Sequence, residues 1–364
     1  MKILHIEAGE KMLGGAQQVI YLLAGQSPSK HQHIFLCPDG SDVMRHASER
    51  GLNVIGMKMW GDIDPGFTFR LYRLIKFHSI DLLIIHSRRG ADFYGGMAAR
   101  LAGIRSILVR RVDNPEARLV TKLKYRLYDK TVAISDAIGH VLRSQGLRSS
   151  KIEVIKDCVD SDLFAPASAS VGDLPERLGI PENKLTVGVV AQLIPRKGHA
   201  FLLQTAPEIL RRVPNVHFVF LGAGGSRQTL EQQVSELNLG EHVTFTGFRD
   251  DIHRIIPQLD IVAHPALMEG MGVALLQSSS AGVPVVAFSA GGIPEVVEHN
   301  KTGFLAPTGD AESLKSSLIT LLESETLRSS FGRRGREKIV AEFSIQNMQE
   351  RYESLYDRVA TGAD

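Results

Sequence analysis

The sequence predicts two α/β domains in tandem, each a doubly wound parallel sheet. Three observations carry this. The chain has 364 residues, which at ~100–200 residues per domain makes two. Short β-rich runs alternate with helical patterns along its length. Several of those runs are apolar throughout rather than at every second position, as strands buried on both faces of a parallel sheet must be. Hydrophobic residues at 43% and charged residues at 23% make this an ordinary globular chain, neither disordered nor fibrous. Such a chain buries a sizeable core without staples. Cys37 and Cys158 are the only cysteines, which excludes a disulfide scaffold and Cys-rich zinc modules.

Lys2–Ala8 reads as the first strand, interrupted by His5 and Glu7. No long apolar region or small-residue cleavage site follows, so it reads as a strand rather than a leader. A helix is expected from about Gly15. His33–Cys37, Asn53–Met57, Leu82–His86, Ser106–Arg110 and Thr131–Ile134 follow as strands, with helices such as Phe69–His78 and Asp92–Ala102 between them. Pro166–Pro181, rich in Pro, Ala, Ser and Gly, reads as a linker. The alternation then restarts with strands at Leu185–Ala191, His217–Leu221, Val243–Thr246, Ile261–His264 and Pro284–Phe288. Helices are expected at Ala200–Arg212, Arg227–Leu237 and Gly272–Ala281. The expected domains are residues 1–166 and 167–340, with a helical tail, 341–364, packing back on the first. Ligands of open α/β sheets bind beyond the carboxyl ends of the strands, so the cleft between two such sheets is the expected active site.

Charge is unevenly spread. Residues 1–166 hold 24 Lys/Arg and 17 Asp/Glu, and residues 100–130 alone hold nine basic and three acidic side chains. A patch like that attracts phosphate groups, an anionic membrane or nucleic acid; the plainer reading is a solvated helix face. No RNA-recognition aromatic motif or helix-turn-helix signature is present, which sets nucleic acid aside. No stretch approaches the ~18 apolar residues of a membrane span, so any membrane role is expected to be peripheral, at the cytoplasmic face.

The motifs with chemistry lie at expected strand ends. Gly14-Gly15 opens the first helix, where glycines let backbone amides approach an anion. Gly222-Ala223-Gly224-Gly225 is a second Gly-rich turn, but Arg227 stands where a dinucleotide fingerprint needs its third glycine. No Gly-x-x-x-x-Gly-Lys-Ser/Thr run exists, which argues against a P-loop nucleotidase. Arg196 and Lys197 are adjacent cations past a strand end, suited to a departing diphosphate. Glu269-Gly270-Met271-Gly272-Val273 puts a carboxylate before a Gly-rich turn into an apolar helix. That suits a ligand part sugar and part phosphate. Gln277 lies eight residues on, at two helical turns along one face. Gly291-Gly292-Ile293-Pro294-Glu295 begins a further helix.

In order and spacing, these motifs resemble the family 4 ("group 1") glycosyltransferases of the GT-B fold. The resemblance spans nearly the whole chain. It rests on Gly14-Gly15, His86, Val132-Ala133-Ile134-Ser135, Val159-Asp160 to Phe164, Pro195-Arg196-Lys197-Gly198, Gly247-Phe248-Arg249, the Glu269–Gln277 run and Gly291–Glu295. It implies two Rossmann-like domains facing a central cleft. It also implies retaining transfer of a sugar from a nucleotide-diphosphate donor, with UDP-sugars the commonest, and no required metal or other cofactor. Arg196 and Lys197 would hold the diphosphate, helped by backbone at Gly14, Gly15, Gly222 and Gly270, Met271, Gly272, Val273, and by Arg249. Glu269 would bind sugar hydroxyls, and His86 would contact the sugar near the reacting carbon without acting as a general base.

Two departures stand out. Gln277 replaces the usual Glu, keeping an acceptor for the ribose but losing its charge. Gln192 replaces a frequent Arg. They leave open a sugar-nucleotide-binding protein without catalysis, and, behind it, a GT-B-fold epimerase. The acceptor is expected to be an anionic saccharide or lipid-linked sugar of cell-surface polysaccharide or lipopolysaccharide synthesis, held by Arg88, Arg110 and Arg111. Asp62-Ile63-Asp64 and Asp160-Ser161-Asp162 match a metal-binding spacing that chance also supplies, and no metal is expected. His31 and His33 read as a solvated or locally bonded pair.

Overall fold

The computed structural model describes residues 1–25, 30–88, 90–166 and 173–362. The first half runs β1 (Lys2–Ile6), α1 (Gly14–Leu23), β2 (Gln32–Pro38), α2 (Asp42–Glu49), β3 (Val54–Met57), α3 (Pro65–His78), β4 (Leu82–Ile85), α4 (Ala91–Ala102), β5 (Arg105–Arg110), α5 (Arg118–Tyr125), β6 (Lys130–Ala133), α6 (Asp136–Ser144) and β7 (Ile152–Val154). The second runs α7 (Leu174–Leu178), β8 (Leu185–Val190), α8 (His199–Arg212), β9 (Val216–Leu221), α9 (Arg227–Glu236), β10 (Val243–Gly247), α10 (Ile252–Ile255), β11 (Ile261–His264), α11 (Val273–Ser280), β12 (Val285–Phe288), α12 (Ile293–Val296), β13 (Gly303–Ala306), α13 (Ala311–Leu322), α14 (Glu325–Glu342) and α15 (Ile345–Thr361).

The chain divides into two units: residues 1–158 with 345–364, and residues 159–344. The sequence reading set the boundary at 166/167; the division falls after Cys158, and α15 groups with the first unit. Of the expected linker, residues 167–172 lie outside the described residues.

The first unit holds a seven-stranded parallel sheet in the order β3-β2-β1-β4-β5-β6-β7. Its central strands are buried along nearly their whole length, and its edge strands β3 and β7 are only half-buried. The second unit holds a six-stranded parallel sheet in the order β10-β9-β8-β11-β12-β13. Val187, Val189, Phe218, Phe220, Ile261 and Phe288 of its strands pack with Leu202, Leu203, Leu314 and Leu318 of α8 and α13. Each such side chain contributes about 1.5–3 kcal/mol by leaving water. Both sheets therefore are the doubly wound, Rossmann-like type that the apolar runs predict. Strands β7 and β13 are additions to that reading. Each sheet has one point where strand order reverses: between β1 and β4 in the first, between β8 and β11 in the second.

Candidate functional site

In the second unit the loops after β8 and β11 are joined. Pro195–Lys197 forms a single 3-10 turn, closed by Gly198 at φ 72°. A Cβ on Gly198 would overlap the Pro265 carbonyl oxygen, so this approach requires glycine. Leu267 N–H donates to Arg196 O at 2.9 Å, and Arg196 Nη1 reaches Met268 O at 3.5 Å. Lys197 Nζ donates to Glu269 Oε2 at 2.5 Å, and His264 Nε2, from the last residue of β11, lies 2.8 Å from the same oxygen. Burial alone would raise the Glu269 carboxyl. The hydrogen bond and charge of His264, with Lys197, outweigh it and hold the group well below the usual carboxylate range. His199, at the start of α8, is buried, and neither ring nitrogen has a hydrogen-bond partner among the described residues. Burial, then His264 and Lys197, lower its pKa to about 4, so it is neutral near pH 7. The result is an anion fixed by two partners at a strand-order reversal. Lys197 retains two further N–H donors, and Arg196 is exposed beside it.

Gly270 and Met271 are buried, and Gly272, at φ 90°, caps α11. The amides of Val273 and Ala274, which open α11, have no intrahelical partner, whereas those of Leu275 and Leu276 donate to Gly272 O. Because α11 begins at Val273, Glu269 lies in the loop before it. The helical spacing expected between Glu269 and Gln277 therefore does not hold; Gln277 is buried within α11. A Cβ on Gly222 would overlap the Ala191 carbonyl oxygen, so packing against the β8 loop accounts for this glycine without any ligand. Arg249 is held by Asp251 through two bonds, 2.7 and 2.6 Å, in the loop after edge strand β10. Gln192 is exposed.

In the first unit the reversal point gathers Gly14-Gly15 at the start of α1, His86 just past β4, and Arg110-Arg111 at the end of β5. At Gly15 a Cβ would meet only the Arg111 side chain, at an ordinary 3.5 Å, so the protein itself does not demand glycine there. His86 is 2% exposed, and its Nδ1 has no partner among the described residues. Burial, then the neighbouring Arg111 charge, drive its pKa well below 6.5. Arg111 is ion-paired with buried Asp157.

The three arginines expected to hold an anionic acceptor differ sharply. Arg110 is 2% exposed and paired at 2.8 Å with Glu116, which also takes Lys124 at 2.6 Å; Lys124 in turn reaches Asp92 at 2.8 Å. Its charge is met inside the fold. Arg88 also meets Glu116, at 3.0 Å, but its side chain is half-exposed. Much of the basic run 100–130 is likewise spent internally: Arg105 on Asp129, and Arg100 on two backbone carbonyls. Both Asp-x-Asp spacings have local structural uses. Asp64 caps α3 and pairs with Arg70; Asp160 accepts from the amides of Asp162 and Leu163. His33 is bonded not locally but to His5, and His31 lies 3.4 Å from Asp357.

Sequence reasoning missed His264, His199, Glu116 and Asp157. His264 had a readable signal, as a polar residue closing an apolar strand next to the reversal point. Glu116 stood between its partners Arg110 and Lys124 inside the basic run; His199, without a hydrogen-bond partner among the described residues, and Asp157, whose partner Arg111 lies far off in sequence, gave no signal.

Residues 13–163 match the family described as Glycosyltransferase Family 4, and residues 171–338 the one described as Glycosyl transferases group 1. The chain is 29% identical over 295 residues to the GDP-mannose-dependent alpha-(1-6)-phosphatidylinositol monomannoside mannosyltransferase of Mycobacterium tuberculosis, covering 77% of this chain and 76% of that one. It is 28% identical over 303 residues to the Escherichia coli UDP-Gal:alpha-D-GlcNAc-diphosphoundecaprenol alpha-1,3-galactosyltransferase, covering 79% and 77%. Its fold superposes on Anabaena Alr3699/HepE, solved with UDP-glucose, at a TM-score of 0.87 and 22% identity over 98% of this chain and 100% of that one.

Proposed function

The chain belongs to the family 4, or group 1, glycosyltransferases of the GT-B type, and from that premise we propose that it moves a sugar from a nucleoside diphosphate to a saccharide or lipid-linked acceptor with retention of configuration. One observation carries the reading. Lys197 after β8 meets Glu269 after β11 where the strand order reverses, and Arg196 beside it reaches Met268 O, giving two cations near a fixed carboxylate. As the sugar leaves, negative charge grows on the diphosphate. Arg196 and the spare Lys197 donors stabilise that charge, and it is their presence that leads us to propose transfer without a divalent ion. Glu269, kept ionised by His264 and Lys197, accepts from sugar hydroxyls. The first amides of α11 complete the phosphate cradle. We place substrate contact in the first unit at Gly15, whose lack of a side chain the fold leaves unexplained, and at His86.

A UDP-sugar is the donor we favour, on the resemblance and on the UDP-glucose-bound structural relative. The lipid-linked substrates named for the mycobacterial and Escherichia coli relatives support a lipid-linked acceptor, used at the inner face of the membrane, with Arg88 as the exposed cation for it. No helix among the described residues is long and apolar enough to cross a membrane.

A thermal-shift screen of UDP- and GDP-sugars tests the donor. At ~100 times its Kd the right one adds ~2.7 kcal/mol of stability. Product NMR then reads the anomeric outcome, with and without EDTA. Lys197→Ala is expected to lower kcat by about 10²–10³-fold. Binding without transfer to any acceptor favours the non-catalytic reading; an inverted product or EDTA-abolished transfer overturns the mechanism.

A further inference from the structure

Three histidines of the first unit form a hydrogen-bonded line. His33 Nδ1 lies 2.9 Å from His5 Nε2, and His5 Nδ1 lies 3.0 Å from His86 Nε2. The register explains why they meet. His33 is opposite Ile3, and His5 is opposite Ile84, so His33, His5 and His86 share one face of neighbouring strands β2, β1 and β4. The line is also slanted. His33 is the second residue of β2, His5 the fourth of β1, and His86 follows the end of β4. It therefore runs from near the amino edge of the sheet to the carboxyl edge, where ligands of such sheets bind. Tyr356 of α15 covers it, with ring centroids 6.2 Å from His5 and 6.1 Å from His33.

His5 is completely buried and spends both ring nitrogens on other imidazoles. Burial is the first cause of a lowered pKa in each of the three, so each is a neutral ring with one N–H and one bare nitrogen. Neutral rings in a line have to agree. If His5 donates from Nδ1, His33 donates to it and the free nitrogen of His86, Nδ1, carries a proton. If His5 donates from Nε2, His86 donates to it and His86 Nδ1 is bare.

We propose that His33, His5 and His86 are a proton relay, in which His5 and His33 are positioning residues that set whether His86 Nδ1 accepts or donates. In one shift His86 Nδ1 takes a proton from the group bound before it. The Nε2 proton of His86 passes to His5 Nδ1, and that of His5 Nε2 passes to His33 Nδ1. The proton on His33 Nε2 leaves to water. One proton enters, one leaves, and no ring is charged before or after. Use of the relay in catalysis rests on the glycosyl-transfer reading; the coupling of tautomers does not.

The test is nitrogen-15 NMR of the histidine side chains in the unliganded full-length protein. His33→Lys offers only a donor at the Nδ1 position. His5 Nε2 then accepts, so His5 donates from Nδ1 and His86 Nδ1 is protonated. His33→Asp offers only an acceptor at the Nδ1 position, so His5 donates from Nε2 and His86 Nδ1 is bare. Opposite tautomers at His86, a ring that His33 does not touch, are the expected result. Identical His86 nitrogen shifts in the two folded variants overturn the relay, whether or not sugar transfer is found. Should His33→Lys not fold, His33→Arg supplies a donor in its place. In an active preparation the two variants should also differ in kcat by about tenfold or more, with similar donor KM. Equal kcat values overturn the catalytic use alone.

Discussion

Glu269 shows what a single side chain does here. Its pKa is lowered from 4.5, so folding favours the ionised form. Its stabilisation is therefore complete above pH 4.5 and is lost as pH falls from there toward the folded value. Glu269→Gln should lower Tm near pH 7 in the ligand-free protein and flatten the acid limb of a Tm-against-pH plot below pH 4.5, the two proteins converging in acid. A limb as steep as the wild type's would mean the carboxylate is not held as its geometry says. Glu269, Lys197 and His86 were legible in the sequence because each has a short motif around it. His264 showed only as a polar residue closing an apolar strand, and His5, an imidazole inside a strand, only as an interruption. What each bonds depends on strand register, which the spacing of residues does not reveal.

At the scale of elements, the tightest constraint is the approach of the β8 and β11 loops at Gly198. Gly198→Ala combines an unfavourable left-handed conformation, about 1–2 kcal/mol, with overlap against Pro265. A loss of at least ~2 kcal/mol in urea unfolding is expected, together with weaker donor binding. The buried group of Arg110, Glu116, Lys124 and Asp92 makes a second prediction. Arg110→Met leaves Glu116 short of a partner and should cost about 3–5 kcal/mol, whereas half-exposed Arg88→Ala should cost ~0–1 kcal/mol. If Arg110→Met instead leaves stability intact and raises acceptor KM, the arginine serves substrate and not the fold. The strands of both sheets were legible wherever four or more apolar residues run together, as at Leu82–Ile85. β7, three residues long, and β13, begun by a glycine, give no such run.

Across the whole molecule, acid should act through histidines as well as carboxylates. His33, His199 and His217 are each lowered to about 4, chiefly by burial. The fold prefers them neutral. Their stabilisation is full above pH 6.5 and declines as pH falls from 6.5 to about 4, on the order of 1 kcal/mol per group and pH unit at most. Calorimetry should find Tm dropping through that window. His199→Phe should make the drop shallower, and a flat profile for the wild type would count against all three assignments. The two-domain architecture was legible because the strand–helix alternation halts and restarts. Of the chain's route, the packing of the tail on the first unit was expected, and α15 groups with it; the crossing after Cys158, rather than at 166/167, was not legible, since no Pro- or Gly-rich run marks it.

That route has a practical meaning. The polypeptide leaves its amino-terminal unit after Cys158 and rejoins it at Ile345, and Val159 pairs with Ser344 as an isolated bridge. Residues 159–344 can thus be excised as one uninterrupted piece. The other unit, by contrast, can be made in isolation only by splicing two separate segments. A reporter fused after α15 travels with the amino-terminal half, and trimming that helix strips the roof from His5 and His33, which lie far earlier in the sequence.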